Sequence, residues 1–234
     1  MHAFDFTVIF RYYPEILPYL AITFLIVIFS VIFGVLFGFL VAMAKLSKNK
    51  IWRVMGNGYT NVLRCTPSVI LLFLVYYGLP AIFQGLFGID INHIYKGIFV
   101  IITLVLLFSA NMAEVMRSAY EAVDKGQYEA GVSIGLNNVQ TFIRILLPQC
   151  FIIALPNLGN AVIVLFQEGA LAFTIGFIDM MGKANLIVSL NYGSHAREIY
   201  IGLALIYWAI SIIIEKGMSK FEGIYKEKIL AKTV

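Results

Sequence analysis

Five long stretches without a charged residue constrain the fold of this chain more than any other feature of its sequence. They cover residues 16–44, 65–89, 97–113, 145–167 and 199–214. About 20 residues of α-helix cross the hydrocarbon core of a bilayer, and flanking residues can complete the shorter stretches. Because 61% of the residues are hydrophobic and only 13% are charged, the chain carries more apolar surface than one soluble domain can bury. We therefore predict an all-α polytopic membrane protein with about five transmembrane helices, forming a single domain over residues 1–234.

A shorter apolar run and a pair of glycines add detail to these predicted spans. The run at residues 169–178 is too short for a sixth span, so we expect an interfacial or re-entrant segment, or an outer extension of the fourth span. Gly34 and Gly38 lie four residues apart on one helical face, a spacing that lets another helix approach closely. This spacing fits internal packing and a subunit interface alike.

Basic residues are concentrated in alternate loops between the predicted spans. By the positive-inside rule these loops face the cytoplasm, which places the N-terminus and the loops at residues 84–93 and 179–197 outside and the C-terminus inside. The sequence pI near 9.0 thus has a topological explanation, and we predict no nucleic-acid partner. The basic residues are Lys45, Lys48, Lys50 and Arg53 after the first span, Arg117, Lys125 and Arg144 between the third and fourth, and Lys216, Lys220, Lys226, Lys228 and Lys232 after the fifth.

The cytoplasmic loop at residues 124–148 is a polar segment of small residues between two apolar runs. It contains Glu129, Ala130 and Gly131 in succession, then Gly135, and it ends at Pro148. Glutamate and alanine favour helix, and a glycine can adopt the left-handed conformation that ends one. We therefore predict a short helix that stops at Gly135.

This loop resembles the cytoplasmic coupling loop of permease subunits in ATP-binding-cassette (ABC) importers, with Gly131 in place of the usual second alanine. The resemblance implies a type I importer fold with a coupling helix, in the bacterial plasma (inner) membrane. It also implies three partners: a cytoplasmic ABC ATPase dimer, a second permease subunit that is identical or a sister chain, and an extracytoplasmic solute-binding protein. Glu129, Ala130, Gly131, Gly135 and Pro148 are the positions that the resemblance assigns to ATPase coupling.

The start of the second apolar stretch carries an arginine, which is costly beside a membrane unless it snorkels, pairs or faces a water-filled cavity. Arg64, Thr66 and Pro67, followed by Tyr77-Gly78-Leu79-Pro80, resemble the R-G-T-P and Y-x-G-L/I-P patterns of polar-amino-acid importer permeases. Cys65 stands where that family usually has glycine. By this resemblance Arg64 and Thr66 are candidates for the substrate path.

The inward end of the third span carries a band of small and polar residues. Glu114 and Arg117 are three residues apart, so they can pair on one helical face. Such a pair can simply stabilise the helix end, or Asn111 and Glu114 can face the translocation path. The segment resembles the family pattern S-A-Y-x-A-E-x-x-R, with Asn111 replacing the tyrosine.

The end of the fourth span resembles the family segment L-K-D-T-S-L-A-x-x-I-G only in part, because Gln167, Glu168, Gly169 and Ala170 replace the lysine, acid, threonine and serine. An intramembrane carboxylate is expensive and usually faces a path or a partner. Glu168 is therefore the leading candidate for a substrate-path residue, together with Gln167. The alternative is a structural carboxylate near the outer interface.

These residues predict transport rather than catalysis. The sequence lacks a phosphate-binding G-x-x-x-x-G-K-[ST] loop, so we expect no enzyme activity and no cofactor in this chain, with ATP used by the partner ATPase. His2, Cys65 and Cys150 belong to no metal-ligand or nucleophile–base pattern, which argues against a metal site and a membrane enzyme. The alternative class is a secondary transporter driven by an ion gradient, against which stand the few spans and the absence of an internal repeat.

The resemblance points to a polar amino acid as the substrate. A zwitterionic amino acid needs a cation for its carboxylate and an acid for its ammonium group. Arg64 with Glu168 or Glu114 would supply them. Two further segments, residues 176–183 and 77–90, look most like permeases assigned to cystine and related sulfur amino acids.

Overall fold

The computed structural model describes residues 5–233, with side chains for residues 5–227, and all regular elements in this part of the chain are helical. Short 3₁₀ or π-helical turns join several of the helices, at Leu17–Tyr19, Leu74–Gly78 and Phe142–Leu146. His2 and the side chains of Lys228 and Lys232 lie outside the described residues. The helices are α1 Phe6–Ile16, α2 Leu20–Leu46, α3 Lys50–Cys65, α4 Ser68–Phe73, α5 Leu79–Phe87, α6 Lys96–Ala122, α7 Lys125–Ser133, α8 Asn138–Thr141, α9 Leu147–Glu168, α10 Met180–Leu190 and α11 Ala196–Thr233.

The predicted number of spans is confirmed. In the described part of the chain, five helical segments are long and apolar enough to cross a membrane: Phe6–Leu46, Ser68–Phe87, Lys96–Ala122, Asn138–Ile175 and Ala196–Glu227. The short run after Glu168 forms a 3₁₀ helix, Gly169–Ile175, which continues the fourth span and ends at Gly176 in the left-handed conformation, φ 70°. Of the alternatives for this run, the structure agrees with an extension of the fourth span.

The second span departs from its sequence-based prediction, because the apolar stretch does not begin a single helix. Arg64 and Cys65 end α3, and the chain breaks at Thr66, whose φ of −90° and ψ of 125° are extended. The cause is Pro67, because its ring disfavours the α conformation for the preceding residue. Arg64 therefore closes a preceding helix rather than opening the second span.

The two glycines of the first span serve internal packing. A Cβ on Gly34 would lie 2.7 Å from Cδ1 of Phe108, and one on Gly38 would lie 2.8 Å from Cβ of Met112. Both contacts are with α6, so the glycines let α2 and α6 approach closely. α6 also contacts α3, α4 and α9, which makes it the helix that all the candidate substrate-path elements share.

The loop after the fourth span contains α10, a helix of 11 residues that the sequence analysis missed. Asp179 caps its N-terminus by accepting a hydrogen bond from the Gly182 amide, 2.8 Å. The Thr23 hydroxyl of α2 lies 3.5 Å from the other carboxylate oxygen of Asp179. Lys183 pairs with Glu15 at 3.2 Å, so α10 is fastened to both α1 and α2.

Candidate functional site

The break between α3 and α4 lies beside the fourth span. Ser68, the first residue of α4, donates a hydrogen bond of 2.7 Å to Oε1 of Glu168 at the end of α9. Thr66 is half-buried and donates to the carbonyl of Val62 in α3, 2.7 Å. The broken second span therefore places a hydroxyl against the carboxylate that the sequence analysis selected.

Glu168 is half-buried and Gln167 beside it is exposed. Within the described residues Glu168 has a hydrogen-bond partner, Ser68, and forms no salt bridge. A cavity of about 10 Å³ adjoins the carboxylate and is lined also by Ser68 and Thr103. The sequence analysis expected this carboxylate to face a path or a partner, and among the described residues the structure shows a hydroxyl partner and no salt bridge.

A second cluster of charges lies deeper along α6. Glu114 forms ion pairs with Lys45 of α2 and, at 2.9 Å, with Arg117. Arg64 approaches the same carboxylate to 4.0 Å, and Arg117 reaches Glu121 at 2.6 Å. The predicted pair of Glu114 and Arg117 is confirmed, and it belongs to a network that joins α2, α3 and α6.

Lys45 was expected as an ordinary loop cation, and that expectation is wrong. Its side chain is 3% exposed, and it also donates to the buried Thr60 hydroxyl at 2.8 Å. Gly56 makes room for it, since a Cβ there would lie 2.7 Å from the Lys45 Cγ. A sequence signal existed: Lys45 lies seven residues after Gly38, nearly two helical turns, on the face that packs against α6.

The two clusters lie at different depths. Thr103 beside Glu168 and Glu114 in the second cluster are 11 residues apart in α6, which corresponds to about 16 Å along the helix axis. Arg64 therefore groups with Glu114 and not with Glu168. Asn111 is half-buried between the two levels, one turn before Glu114.

The loop of residues 124–148 has the predicted helix and stop. α7 is capped by Asp124, which accepts from the Gly126 amide at 2.6 Å, and the chain turns at Gly135 with φ +87°. Glu129 and Ala130 are exposed, whereas Gly131 is buried. Glu129 therefore lies on the exposed side of α7.

Gly131 packs this helix against the segment that leads into the fourth span. A Cβ on Gly131 would lie 2.6 Å from Cγ2 of Thr141 and 2.9 Å from Cδ1 of Ile145, so the absence of a side chain lets α7 pack closely there. Pro148 is half-buried in the first turn of α9, directly after the π-helical turn Phe142–Leu146. Around this packed side four large apolar side chains remain exposed: Val132 43%, Ile134 76%, Val139 65% and Ile143 54%.

The described residues contain no group of histidine, cysteine and acidic side chains that could hold a metal ion. Cys65 is exposed and Cys150 is buried, and both are free thiols. The candidate site thus consists of hydroxyl, carboxylate and basic groups, which can bind the charged ends of a solute.

Comparisons with known proteins agree with this architecture. Residues 34–216 match the family model described as the binding-protein-dependent transport system inner membrane component. The chain is 37% identical over 213 residues to the L-cystine transport system permease protein TcyL of Bacillus subtilis, covering 91% of this chain and 88% of that one. It is 36% identical over 167 residues to the arginine ABC transporter permease protein ArtQ of Haemophilus influenzae, covering 70% and 73%.

Among solved structures, the chain resembles a crystal structure of an amino acid ABC transporter with histidines. The TM-score is 0.82 and the identity 32%, over 94% of this chain and 99% of the other. Together with the matched family model and the similarity to curated permeases, this establishes the assignment. The chain belongs to the family of binding-protein-dependent transport system inner membrane components, as a permease subunit of an amino-acid ABC transporter.

Proposed function

We propose that this chain is the translocating subunit of an ATP-driven importer for a polar amino acid. An extracytoplasmic binding protein delivers the amino acid, two permease subunits line the path, and a separate dimeric ATPase hydrolyses ATP on the cytoplasmic side. The N-terminus lies outside and the C-terminus in the cytoplasm, in accordance with the positive-inside rule. The observation that carries the proposal is the exposed helix α7, which is packed against the segment leading into the fourth span.

Helix α7 and its surroundings have the features of a docking element. The apolar side chains Ile134, Val139 and Ile143 are exposed in the same loop as the exposed acid Glu129, and exposed apolar surface rimmed by polar residues marks an interaction site. Closure of the ATPase dimer around ATP would move α7. Because Gly131 lies in close contact with Thr141 and Ile145, α7 would carry the base of the fourth span with it, a rigid-body switch biased by nucleotide.

The substrate path in this proposal runs past the two polar levels of α6. Glu168 and Gln167 form the outer level, and Glu168 binds the ammonium group of the amino acid as a charge-assisted hydrogen bond. Arg64 is half-exposed and approaches Glu114, so its guanidinium binds the carboxylate group of the amino acid when the amino acid reaches the inner level. Asn111 and Glu114 form the inner level.

For the substrate itself, we propose L-cystine or a related sulfur amino acid. This rests on the similarity to a permease named for L-cystine transport at 37% identity, and a permease named for arginine transport reaches 36% over a shorter region. Arginine is therefore the competing label in any uptake measurement.

The test is uptake of labelled cystine, glutamine and arginine into proteoliposomes that contain this chain, its ATPase and its binding protein, with ATP inside. We expect ATP-dependent uptake that falls in Glu129→Ala and stays unchanged in the control Glu227→Ala, an exposed acid near the end of α11. The preferred label identifies the substrate. Uptake that proceeds without ATP when an ion gradient is imposed would instead support a secondary transporter and refute the coupling role of α7.

A further inference from the structure

The contact between Ser68 and Glu168 joins residues that lie 100 positions apart in the sequence. Ser68 occupies the first turn of a span that continues helically to Phe87. The positive end of the helix dipole and the hydroxyl proton both favour an anion at this position. The Glu168 carboxylate therefore interacts favourably with the Ser68 hydroxyl and with the N-terminal end of the span.

The neighbouring cavity completes the surroundings of the carboxylate. Its volume is about 10 Å³, and Ser68, Thr103 and Glu168 supply its polar lining among leucine, valine and alanine side chains. This is close to the smallest volume that holds one water molecule, and a buried water needs two to four polar partners. The cavity thus has room for at most a single water, beside three polar residues in a mostly apolar lining.

The hydrogen-bond inventory of these groups fits such a water. The Thr103 hydroxyl is buried and donates its proton to the carbonyl of Phe99 at 2.8 Å, so its oxygen remains an acceptor. The Ser68 hydroxyl donates a hydrogen bond to Glu168 at 2.7 Å, and its oxygen likewise remains an acceptor. A water in the cavity can donate to Thr103 and to the carboxylate at once.

We propose that Ser68 and Thr103 are positioning residues for Glu168: Ser68 binds the carboxylate directly and Thr103 binds it through one water. Together they hold the ionised carboxylate in one orientation, so that its remaining hydrogen-bonding capacity faces the ammonium group of the passing amino acid. This inference rests on the proposed function, because it assigns a supporting role to residues behind a substrate-path carboxylate. Preorganisation of this kind raises selectivity by reducing the cost of ordering the binding group.

A purely structural role for Ser68, as a link between the second and fourth spans, makes a different experimental prediction. A weakened link would lower the amount of assembled complex, whereas a misplaced carboxylate would lower the amino acid imported per ATP hydrolysed. If the role of Ser68 is purely structural, its substitution would have the same effect whether or not Glu168 carries a charge. The ratio of import to hydrolysis therefore separates positioning from stability.

The experiment measures this ratio in proteoliposomes with the complete complex, for the preferred label among cystine, glutamine and arginine. We expect Ser68→Ala and Thr103→Val to lower the ratio about three- to tenfold, the effect expected for the loss of a typical hydrogen bond. Ser68→Thr should restore it. In a Glu168→Gln background, which lowers the ratio by itself, neither substitution should lower it further. Ser118→Ala is the matched control, because its exposed hydroxyl bonds only to the Val115 carbonyl of its own helix, 3.0 Å.

The outcomes separate this inference from the proposed function. If none of the three labels is imported with ATP, the proposed function fails and the inference fails with it. If import is ATP-dependent and Glu168→Gln lowers the ratio, but Ser68→Ala and Thr103→Val leave it unchanged, the inference alone is overturned. A Glu168→Gln variant with an unchanged ratio would remove Glu168 from the path and refute the positioning role, while leaving the importer assignment intact.

Discussion

Replacing Asp179 by asparagine should stabilise this protein, and the size of the effect follows from its burial. Asp179 is 1% exposed and lies between the fourth and fifth spans. Burial raises the pKa of its carboxyl from 3.8 to about 6, against the lowering effect of hydrogen bonds from Gly182 and Thr23. At 1.36 kcal/mol per pKa unit, this rise corresponds to a cost of about 3 kcal/mol for keeping the carboxylate ionised in the folded state.

The sign of the effect follows from proton binding. Between pH 3.8 and about 6 the folded state holds a proton on Asp179 that the unfolded state has lost, so the free energy of unfolding falls as pH rises through this window. It stays low at higher pH. Asparagine keeps the cap, because its oxygen accepts from the Gly182 amide and its amide group can donate to the Thr23 hydroxyl, yet it carries no charge. Asp179→Asn should thus match the wild type below pH 4 and exceed it by up to about 3 kcal/mol above pH 7.

The assay is thermal unfolding in detergent, followed by far-ultraviolet circular dichroism at one scan rate across this pH range. For a chain of this size, about 3 kcal/mol corresponds to a rise of the midpoint by about 6–12 °C. The matched control is Asp90→Asn, because hydrogen bonds from Asn92 lower the pKa of that exposed carboxyl, and its removal should not raise the midpoint. A midpoint for Asp179→Asn that equals or falls below the wild type at pH 8 would refute the reasoning.

Three further substitutions test the packing and the charges. Lys45→Met should lower the free energy of unfolding by about 3 kcal/mol, because it removes one partner of the buried pair with Glu114, and Glu114→Gln in the same chain should recover part of the loss in thermal unfolding. Gly38→Val should cost about 1–3 kcal/mol in the same assay, since α2 and α6 leave no room for a side chain. Gly131→Val should separate α7 from Thr141 and reduce ATP-dependent uptake while the ATPase alone stays active; normal uptake would contradict the coupling role.

The number of spans could be predicted from the sequence because it depends on a local property, about 20 consecutive residues without charge. The helix before the second span could not, because α3 carries Lys50, Arg53 and Arg64 and so lacks a long charge-free run. The buried face of α3 carries Gly56, Thr60 and Leu63. Its burial is evident only from the packing of α2 and α6 against it. The effect of Pro67 on the preceding residue was a local signal that could have located the break.

In the candidate site, too, the sequence predicted the local contacts and missed the long-range ones. The pair of Glu114 and Arg117 lies three residues apart on one helix, so its spacing predicted it. The pairs of Lys45 with Glu114 and of Ser68 with Glu168 join residues 69 and 100 positions apart. No local pattern specifies such contacts, which depend on how the helices pack. Only the cost of an isolated intramembrane carboxylate indicated that Glu168 would find a partner.

The break between α3 and α4 connects the two polar levels mechanically. Arg64 at the end of α3 approaches Glu114 at the inner level, and Ser68, four residues later, binds Glu168 at the outer level. The inner network holds three basic groups and two carboxylates, whereas the outer level holds one carboxylate. An amino acid that neutralises Glu168 would weaken the bond to Ser68, and the backbone between Thr66 and Ser68 would pass that change to Arg64. We therefore expect substrate at the outer level to loosen the inner ion pairs.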